Sequence, residues 1–393
     1  MGNIPAIRFE GCTDEWEQRM MGELTAEFTE YSTLSSELPL LTSSRAGLMY
    51  QNQYRGSFTT DSKETLFSVV PLGACTYRHM SDDDVFHFNI NALEKGLVSR
   101  EYPVFIASED NELGFIVQHL NSDPKFRAFC AEQKKGGTRT RLYYKTLCEF
   151  SMLVPKSAEQ RKISRFLSDM DDLIVLHQHN YEKIAAAKKS MLENLFPQGD
   201  AQVPEIRFEG FAGNWVKRPL GELFEEYSEK GHEELPPLTI VQGVGTIPRN
   251  ESDRRLMYSK ANLSGYKMVR EGDFIVHLRS FEGGLEIATN TGLISPAYHT
   301  FHGKNVDPGF YYAYFRSRRF IDVDLRPHVY GIRDGRSIDI SGMKTILIPY
   351  TSCEEQKQIA GYLNSLDELI ELYRIRVEKL KKMKAACLQR LFV

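Results

Sequence analysis

Between Lys134 and Lys145 the chain reads K-K-G-G-T-R-T-R-L-Y-Y-K, which sets Lys134, Lys135, Arg139, Arg141 and Lys145 beside two tyrosines with no acid among them. Cations at this density suit phosphate oxygens, and the glycines let the backbone come close to a ligand. A related stretch, G-I-R-D-G-R at 331–336, carries Arg333 and Arg336. Gly137-x-Arg139 and Gly331-x-Arg333 align, each arginine standing 14 residues before the leucine of an L-[VI]-P tripeptide. A guanidinium fork pairs with two oxygens of a phosphate or with the guanine edge. Because this arginine occurs in both places, a sequence-independent phosphate contact or a structural ion pair is favoured over base readout. Those two readings stay open. Base readout is expected where the places differ. Gln51, Asn52 and Gln53 with Arg55 supply amides that match the adenine edge, and Arg249, Asn250, Arg254 and Arg255, followed by His277 and Arg279, occupy the comparable stretch.

Catalytic groups are harder to find. There is no G-x-x-x-x-G-K-[ST] phosphate loop, and Gly243-Val244-Gly245 lacks the third glycine of a dinucleotide site. His232-Glu233-Glu234 runs into Leu235-Pro236 without a second histidine, so a zinc hydrolase is excluded on the motif. Asp82, Asp83 and Asp84 lack the glycine turn and closing glutamate of a calcium loop and read as a solvated turn. No catalytic residue and no metal site are therefore assigned. The net charge of −4 counts mildly against a polyanion partner, so local charge must decide. The six cysteines are scattered without metal-ligand spacing and read as reduced. No positively charged segment leads into an apolar run near Met1, and no apolar stretch approaches about 20 residues; a cytoplasmic location off the membrane is expected.

The elements that position these residues come in two copies. P-A-I-R-F-E-G from Pro5 returns as P-E-I-R-F-E-G from Pro204, an offset of 204 − 5 = 199. Trp16, Arg19, Gly22, Glu23 and Leu24 recur as Trp215, Arg218, Gly221, Glu222 and Leu223. G-L-V-S at Gly96 matches G-L-I-S at Gly292, an offset of 292 − 96 = 196. This is domain duplication and not a short-period solenoid. Each copy opens with a mixed α+β part; in the second, 273–276 and 344–348 read as strands and 308–320 as a helix. Each closes with a heptad seam. The first runs Ile163, Leu167, Met170, Ile174, His177, Tyr181, Ile184, Lys188, Met191, Leu195. The second runs Ile359, Leu363, Leu366, Ile370, Tyr373, Val377, Leu380, Lys384, Cys387, Leu391. Glu159, Glu354 and Glu355 in the first turns, and basic residues at the ends, suit the helix dipole. A helix of roughly 38 residues spans about 57 Å, and two with matching seams would pack on each other, antiparallel. The expected domains are 1–152, 153–199, 200–346 and 347–393.

Taken together, the twin P-x-I-R-F-E-G starts with their tryptophans, Gly272-Asp273-Phe274-Ile275, Gly292–Pro296, the G-x-R loops and the helix starts Glu159-Gln160-x-x-Ile163 and Glu355-Gln356-x-x-Ile359 resemble the specificity subunits of type I restriction-modification systems. The first copy departs from the pattern at Gly73-Ala74-Cys75-Thr76 and at Arg100-Glu101. The resemblance implies two target-recognition domains, each reading one half of a bipartite double-stranded DNA site, joined by two long antiparallel coiled-coil helices with an internal pseudo-twofold repeat. It implies no cofactor on this chain. S-adenosylmethionine would belong to two modification subunits, and ATP with Mg to restriction subunits. Lys183, Lys188, Lys379 and Lys381 on the outer helix faces are candidate docking residues. The rival readings are a self-contained nuclease or methyltransferase and a coiled-coil adaptor that binds no DNA.

Overall fold

The computed structural model describes residues 4–55, 64–134, 138–251, 260–277, 280–331 and 337–392, excluding the side chains of 55, 260–262 and 281. The chain divides into two compact units, one made of Met1–His177 with Ile375–Val393 and the other of Gln178–Arg374.

In the first unit, strand β1 (Glu17–Met20) runs toward a tight crossing at Gly22. Strands β2 (Thr25–Glu27), β3 (Leu41–Ser44), β4 (Gly47–Tyr50), β5 (Cys75–Tyr77), β6 (Phe88–Ile90), β7 (Val104–Ala107) and β8 (Ser151–Val154) follow, with helices α1 (Leu113–Ser122) and α2 (Ser157–Asn194). β1 pairs antiparallel with β8, and the amides of Met21 and Gly22 donate to the carbonyls of Phe150 and Cys148. A Cβ at Gly22 would lie 3.1 Å from Cys148 Cβ, so any larger residue there would have to push the neighbour away by a few tenths of an ångström. The main sheet has the order β2-β7-β5-β6, and β3 with β4 forms a separate antiparallel hairpin. Trp16, Tyr77, Phe88, Phe105 and Phe115 fill the core, which Ile163 and Leu167 of α2 close.

The second unit repeats this plan. Its corresponding strands include β9 (Val216–Pro219), β10 (Phe224–Tyr227), β11 (Leu238–Val241), β12 (Gly245–Pro248), β13 (Phe274–Val276), β14 (Glu286–Ile287), β15 (His299–Gly303) and β16 (Leu347–Tyr350), with α3 (Pro308–Phe315) and α4 (Cys353–Leu391) among its helices. β9 pairs with β16, Gly221 donates to Lys344, and a Cβ there would again lie 3.1 Å from its neighbour's. The sheet order is β10-β15-β13-β14, and β11 with β12 is the separate hairpin.

Three local expectations are corrected. The strand expected at 344–348 is displaced to Leu347–Tyr350, because Asp339 caps a helical turn, Ile340–Met343, that continues to the Lys344 amide. The helix expected over 308–320 ends at Phe315; Ser317 Oγ accepts from the Phe320 amide and a π-helical turn, Phe320–Leu325, takes over. The last turn of α2 holds no basic residue, whereas α4 ends on Arg390.

The glutamates at the helix starts also do more than face a dipole. Glu159 is buried and binds Arg8 of the I-R-F-E-G segment through two contacts, at 2.9 and 2.5 Å. Glu355 does the same for Arg207, at 2.7 and 2.9 Å, and also accepts from Trp215 Nε1 at 3.1 Å and from Thr351. Gln160 accepts from the Glu112 amide and donates to Pro155 O; Gln356 accepts from Asp307 and donates to Thr351 O. Each Glu-Gln pair thus ties the I-R-F-E-G segment and the segment before the shorter helix, around Glu112 or Asp307, to one long-helix start. Buried, bidentate and fully bonded arginine–carboxylate pairs specify such a junction because either partner left alone would be costly.

Within each unit the long helices run past each other in opposite directions. In the first, Ile163 and Leu167 of α2 share a core with Leu391 of α4, and Lys384 binds Asp171 at 2.6 Å. In the second, Leu195 of α2 shares a core with Ile359 and Leu363, and Lys188 binds Asp367. Ile163, Leu167, Met170, Leu195, Ile359, Leu363, Val377 and Leu391 are buried, and the intervening seam positions Ile174, Ile184, Leu366, Ile370 and Leu380 are half-buried. Lys188 therefore does not stand free on an outer face; it reaches the other helix.

Candidate nucleic-acid interface

In the first unit the β3–β4 hairpin and the segment 78–87 border a cleft of about 290 Å³ lined by Ser44, Arg45, Tyr54, Arg78, Asp82 and His87, among others. Arg45 stands at the hairpin tip and binds Asp83 at 2.6 Å, while Arg78 and Arg141 have no acidic partner among the described residues. Burial and then the nearby Arg45 lower the pKa of His87, which keeps its ring neutral near pH 7. Arg45 and Arg78 escaped sequence reasoning because they stand singly; only the hairpin brings them to one cleft.

The basic segment is partly neutralised by the acidic run that the sequence suggests is merely solvated. Arg139 Nε donates to Asp82 at 2.7 Å, Lys134 lies 4.0 Å from Asp84, and Thr140 donates to Asp84. Asp82 to Asp84 are therefore ion-pair partners, and the ion-pair reading of Arg139 describes the free chain. Both Arg139 and Asp82 are more than half exposed, so the pair is weakly held and open to exchange for a phosphate.

Gln51, Asn52 and Gln53 lie on a short helix, Gln51–Arg55, and not in a loop; Asn52 and Gln53 are exposed. The Gln51 amide donates to Leu40 O, which anchors the helix to the foot of the hairpin. In the second unit the matching hairpin ends in the same way. Arg249 opens a 3₁₀ turn, Arg249–Glu251, and its amide donates to Pro237 O. Its guanidinium lies over the Tyr266 ring at 5.3 Å and donates to Leu238 O, whereas Asn250 is exposed. Arg249 thus braces its own hairpin. Lys135, Arg254, Arg255, Arg279, Arg333 and Arg336 lie outside the described residues, as does the side chain of Arg55.

Each hairpin is seated on the fourth strand of its sheet. Asn89 of β6 donates to Ser43 Oγ and Ser44 O at 2.7 and 2.9 Å. Glu286 of β14, fully buried, accepts from the Gly243 amide at 2.8 Å and from Arg316 at 2.6 Å, and Tyr312 OH donates to its other oxygen. Burial raises the Glu286 pKa, while the Gly243 amide and Arg316 act in the opposite direction. These supports hold one hairpin per unit, which presents the exposed Arg45, Asn52 and Gln53 in the first unit and the exposed Gln242 and Asn250 in the second, the arrangement in which fixed elements carry the contacts and variable side chains set preference. All six cysteines are free, and no helix among the described residues is long and apolar enough to cross a membrane.

Comparison with known proteins fits this geometry. Residues 92–186 match the family model described as the type I restriction modification DNA specificity domain. The chain is similar to the MjaVIII type I restriction enzyme specificity subunit of Methanocaldococcus jannaschii, with 26% identity over 65% of this chain. It is also similar to the MjaX protein of that organism, provisionally described as a type I restriction enzyme specificity subunit, with 23% identity over 69% of this chain. The matched region spans 64% of each relative's own length. In fold it resembles the crystal structure of a type I restriction-modification system S subunit from M. genitalium, with TM-score 0.58, 13% identity and 99% of both chains covered. Residues 92–186 thus match a DNA specificity domain of type I restriction-modification systems, and the fold of the chain resembles that of an S subunit. The resemblance carried by the doubled motifs is matched by these comparisons, in which the chain is similar to specificity subunits of such systems.

Proposed function

We propose that this chain reads a bipartite double-stranded DNA site, one half with each unit's mixed domain, and directs adenine methylation and cleavage by partner subunits. The observation that supports it most is that two units share one scaffold down to the Gly22 and Gly221 crossings and the Glu-Gln helix starts, yet differ at the hairpins. Gln51, Asn52 and Gln53 follow one; Arg249 and Asn250 follow the other. A protein that recognised one ligand twice would keep those residues alike; one that reads two different half-sites would not.

In this reading the chain is a non-catalytic, cytoplasmic subunit with an internal pseudo-twofold repeat. Residues 1–152 and 200–346 are the recognition domains, and 153–199 and 347–393 form an antiparallel coiled coil that sets the gap between half-sites. Arg45, Arg78, Arg139 and Arg141 supply phosphate contacts that fix register without carrying sequence information. Two modification subunits bring S-adenosylmethionine, and restriction subunits bring ATP and Mg; this chain binds none of these. The deciding experiment is methylome sequencing of a host expressing the chain with its modification subunit, against the same host lacking the chain. A bipartite motif methylated on both strands only when the chain is present is expected. An assembled complex that yields no such motif rejects the reading and favours an adaptor.

A further inference from the structure

Asn89 and Glu286 occupy one position in two sheets. β5 pairs with β6 so that Thr76 faces Asn89, and β13 pairs with β14 so that Ile275 faces Glu286. In both cases the side chain leaves the sheet edge and holds the hairpin that precedes exposed amides, Asn52 and Gln53 in one unit and Asn250 in the other. The chemistry is opposite in sign: the Asn89 amide donates to hairpin oxygens, whereas the Glu286 carboxylate accepts a hairpin N–H.

We infer that this position is a specificity-setting seat: Asn89 and Glu286 position the recognition hairpin of their own unit and thereby determine how sharply that unit discriminates bases. The inference rests on the DNA-reading function proposed above. Around Glu286 the fit leaves little slack. Gly243 has φ +86°, and a Cβ there would lie 3.1 Å from Arg316 Nη2. Further along the hairpin Thr289 Oγ1 donates to Thr246 O at 2.6 Å, and Asn290 Nδ2 donates to the same oxygen at 2.9 Å. The exposed Gln242 side chain lies along Gly283, its Nε2 1.7 Å from where a Cβ would stand. The Gly243 amide is thus held by Glu286, whose buried carboxylate is itself oriented by the half-exposed Arg316 and by Tyr312. Neither seat residue needs to touch a base; each acts through the hairpin, in the way that supporting contacts fix a binding group to sub-ångström tolerance.

The test uses the full chain assembled with its modification subunit and short duplexes carrying the motif found by methylome sequencing, together with every single-base variant in each half. Variants are Asn89→Ala, Glu286→Ala and the milder Glu286→Gln, which keeps an acceptor for Gly243 but removes the charge facing Arg316. For Glu286→Ala, discrimination is expected to fall about tenfold in one half-site only, close to the value of one lost base contact, with Gln between Ala and the parent. Asn89→Ala is expected to relax the other half. A generally weakened fold would lower affinity for all duplexes alike and leave both ratios unchanged; that result, or relaxation of both halves by either variant, overturns the seat. If Glu286→Ala does not fold, Glu286→Gln and hydrogen exchange at the Gly243 amide decide it: unchanged protection with unchanged ratios counts against the inference. Absence of any motif in the parent complex would instead refute the DNA-reading function itself.

Discussion

In the proposed reading Asp82, Asp83 and Asp84 set how strongly the first unit attracts DNA, because they pair with Arg139, Arg45 and Lys134. Asp82→Asn is expected to raise DNA affinity several-fold at low salt, since it frees Arg139 and removes one repelling charge; an electrophoretic or fluorescence titration across salt concentrations checks this. Unchanged affinity would assign Arg139 to bracing its loop. His119 makes a separate prediction. It is buried beside Asp123 and Phe392, and its pKa is lowered to about 4, because burial outweighs the attraction of Asp123 at 3.6 Å. The folded-state value lies below the unfolded value of about 6.5, so the unfolded chain binds the proton more readily. Stability of the first unit is therefore full above about pH 6.5 and falls as pH drops toward 4, by on the order of 3 kcal/mol. Urea unfolding from pH 7 to 4.5 measures this, and His119→Leu should flatten that limb. At this scale the sequence was only partly legible. The motif residues Arg8 and Glu159 stood out, but they are separated by 151 positions, and nothing local says that they meet.

Among the elements, the long helices were the most legible, because a stripe repeated over many turns records its own burial. Residues Ile163, Leu167, Ile359 and Leu363 are buried where the period puts them. The hairpins were the least legible: Leu41–Ser44 and Gly47–Tyr50 are short and half-polar, and their seat is a side chain, Asn89, 45 and 46 positions away from the residues it bonds. The end of the helix at Phe315 was also hidden, since aromatic spacing continues through Phe320 while the backbone does not. Apolar packing should dominate the helix pairing. Leu167→Ala is expected to cost about 2–5 kcal/mol, whereas Lys384→Ala, whose partner Asp171 is well exposed, should change stability by under about 1 kcal/mol. Chemical unfolding of the two variants side by side tests that ranking; equal losses would mean that the ion pairs hold the helices.

For the whole molecule, the proposed reading makes the helices a ruler. DNA rises about 3.4 Å per base pair, so adding one heptad to α2 and one to α4 at matching levels, about 10 Å of helix, should shift the preferred gap between half-sites while leaving both half-sites intact. Methylome sequencing of that variant gives the answer directly, and an unchanged gap would remove the ruler from the model of function. That two domains exist and share one plan was readable from the 199-residue offset. Which bases they read was not, because the contact residues gain meaning only from a hairpin whose seat lies on another strand.

The division of the chain into units also orders its birth. Gln178–Arg374 is continuous, but the first unit needs Ile375–Val393 as well, and Cys387, Leu388, Leu391 and Phe392 pack against its core. Once Arg374 has left the ribosome, everything the second unit requires is present, while the first unit still exposes the face that those residues cover. The domain made first is finished last, and until then its uncovered apolar surface is a target for chaperones and proteases.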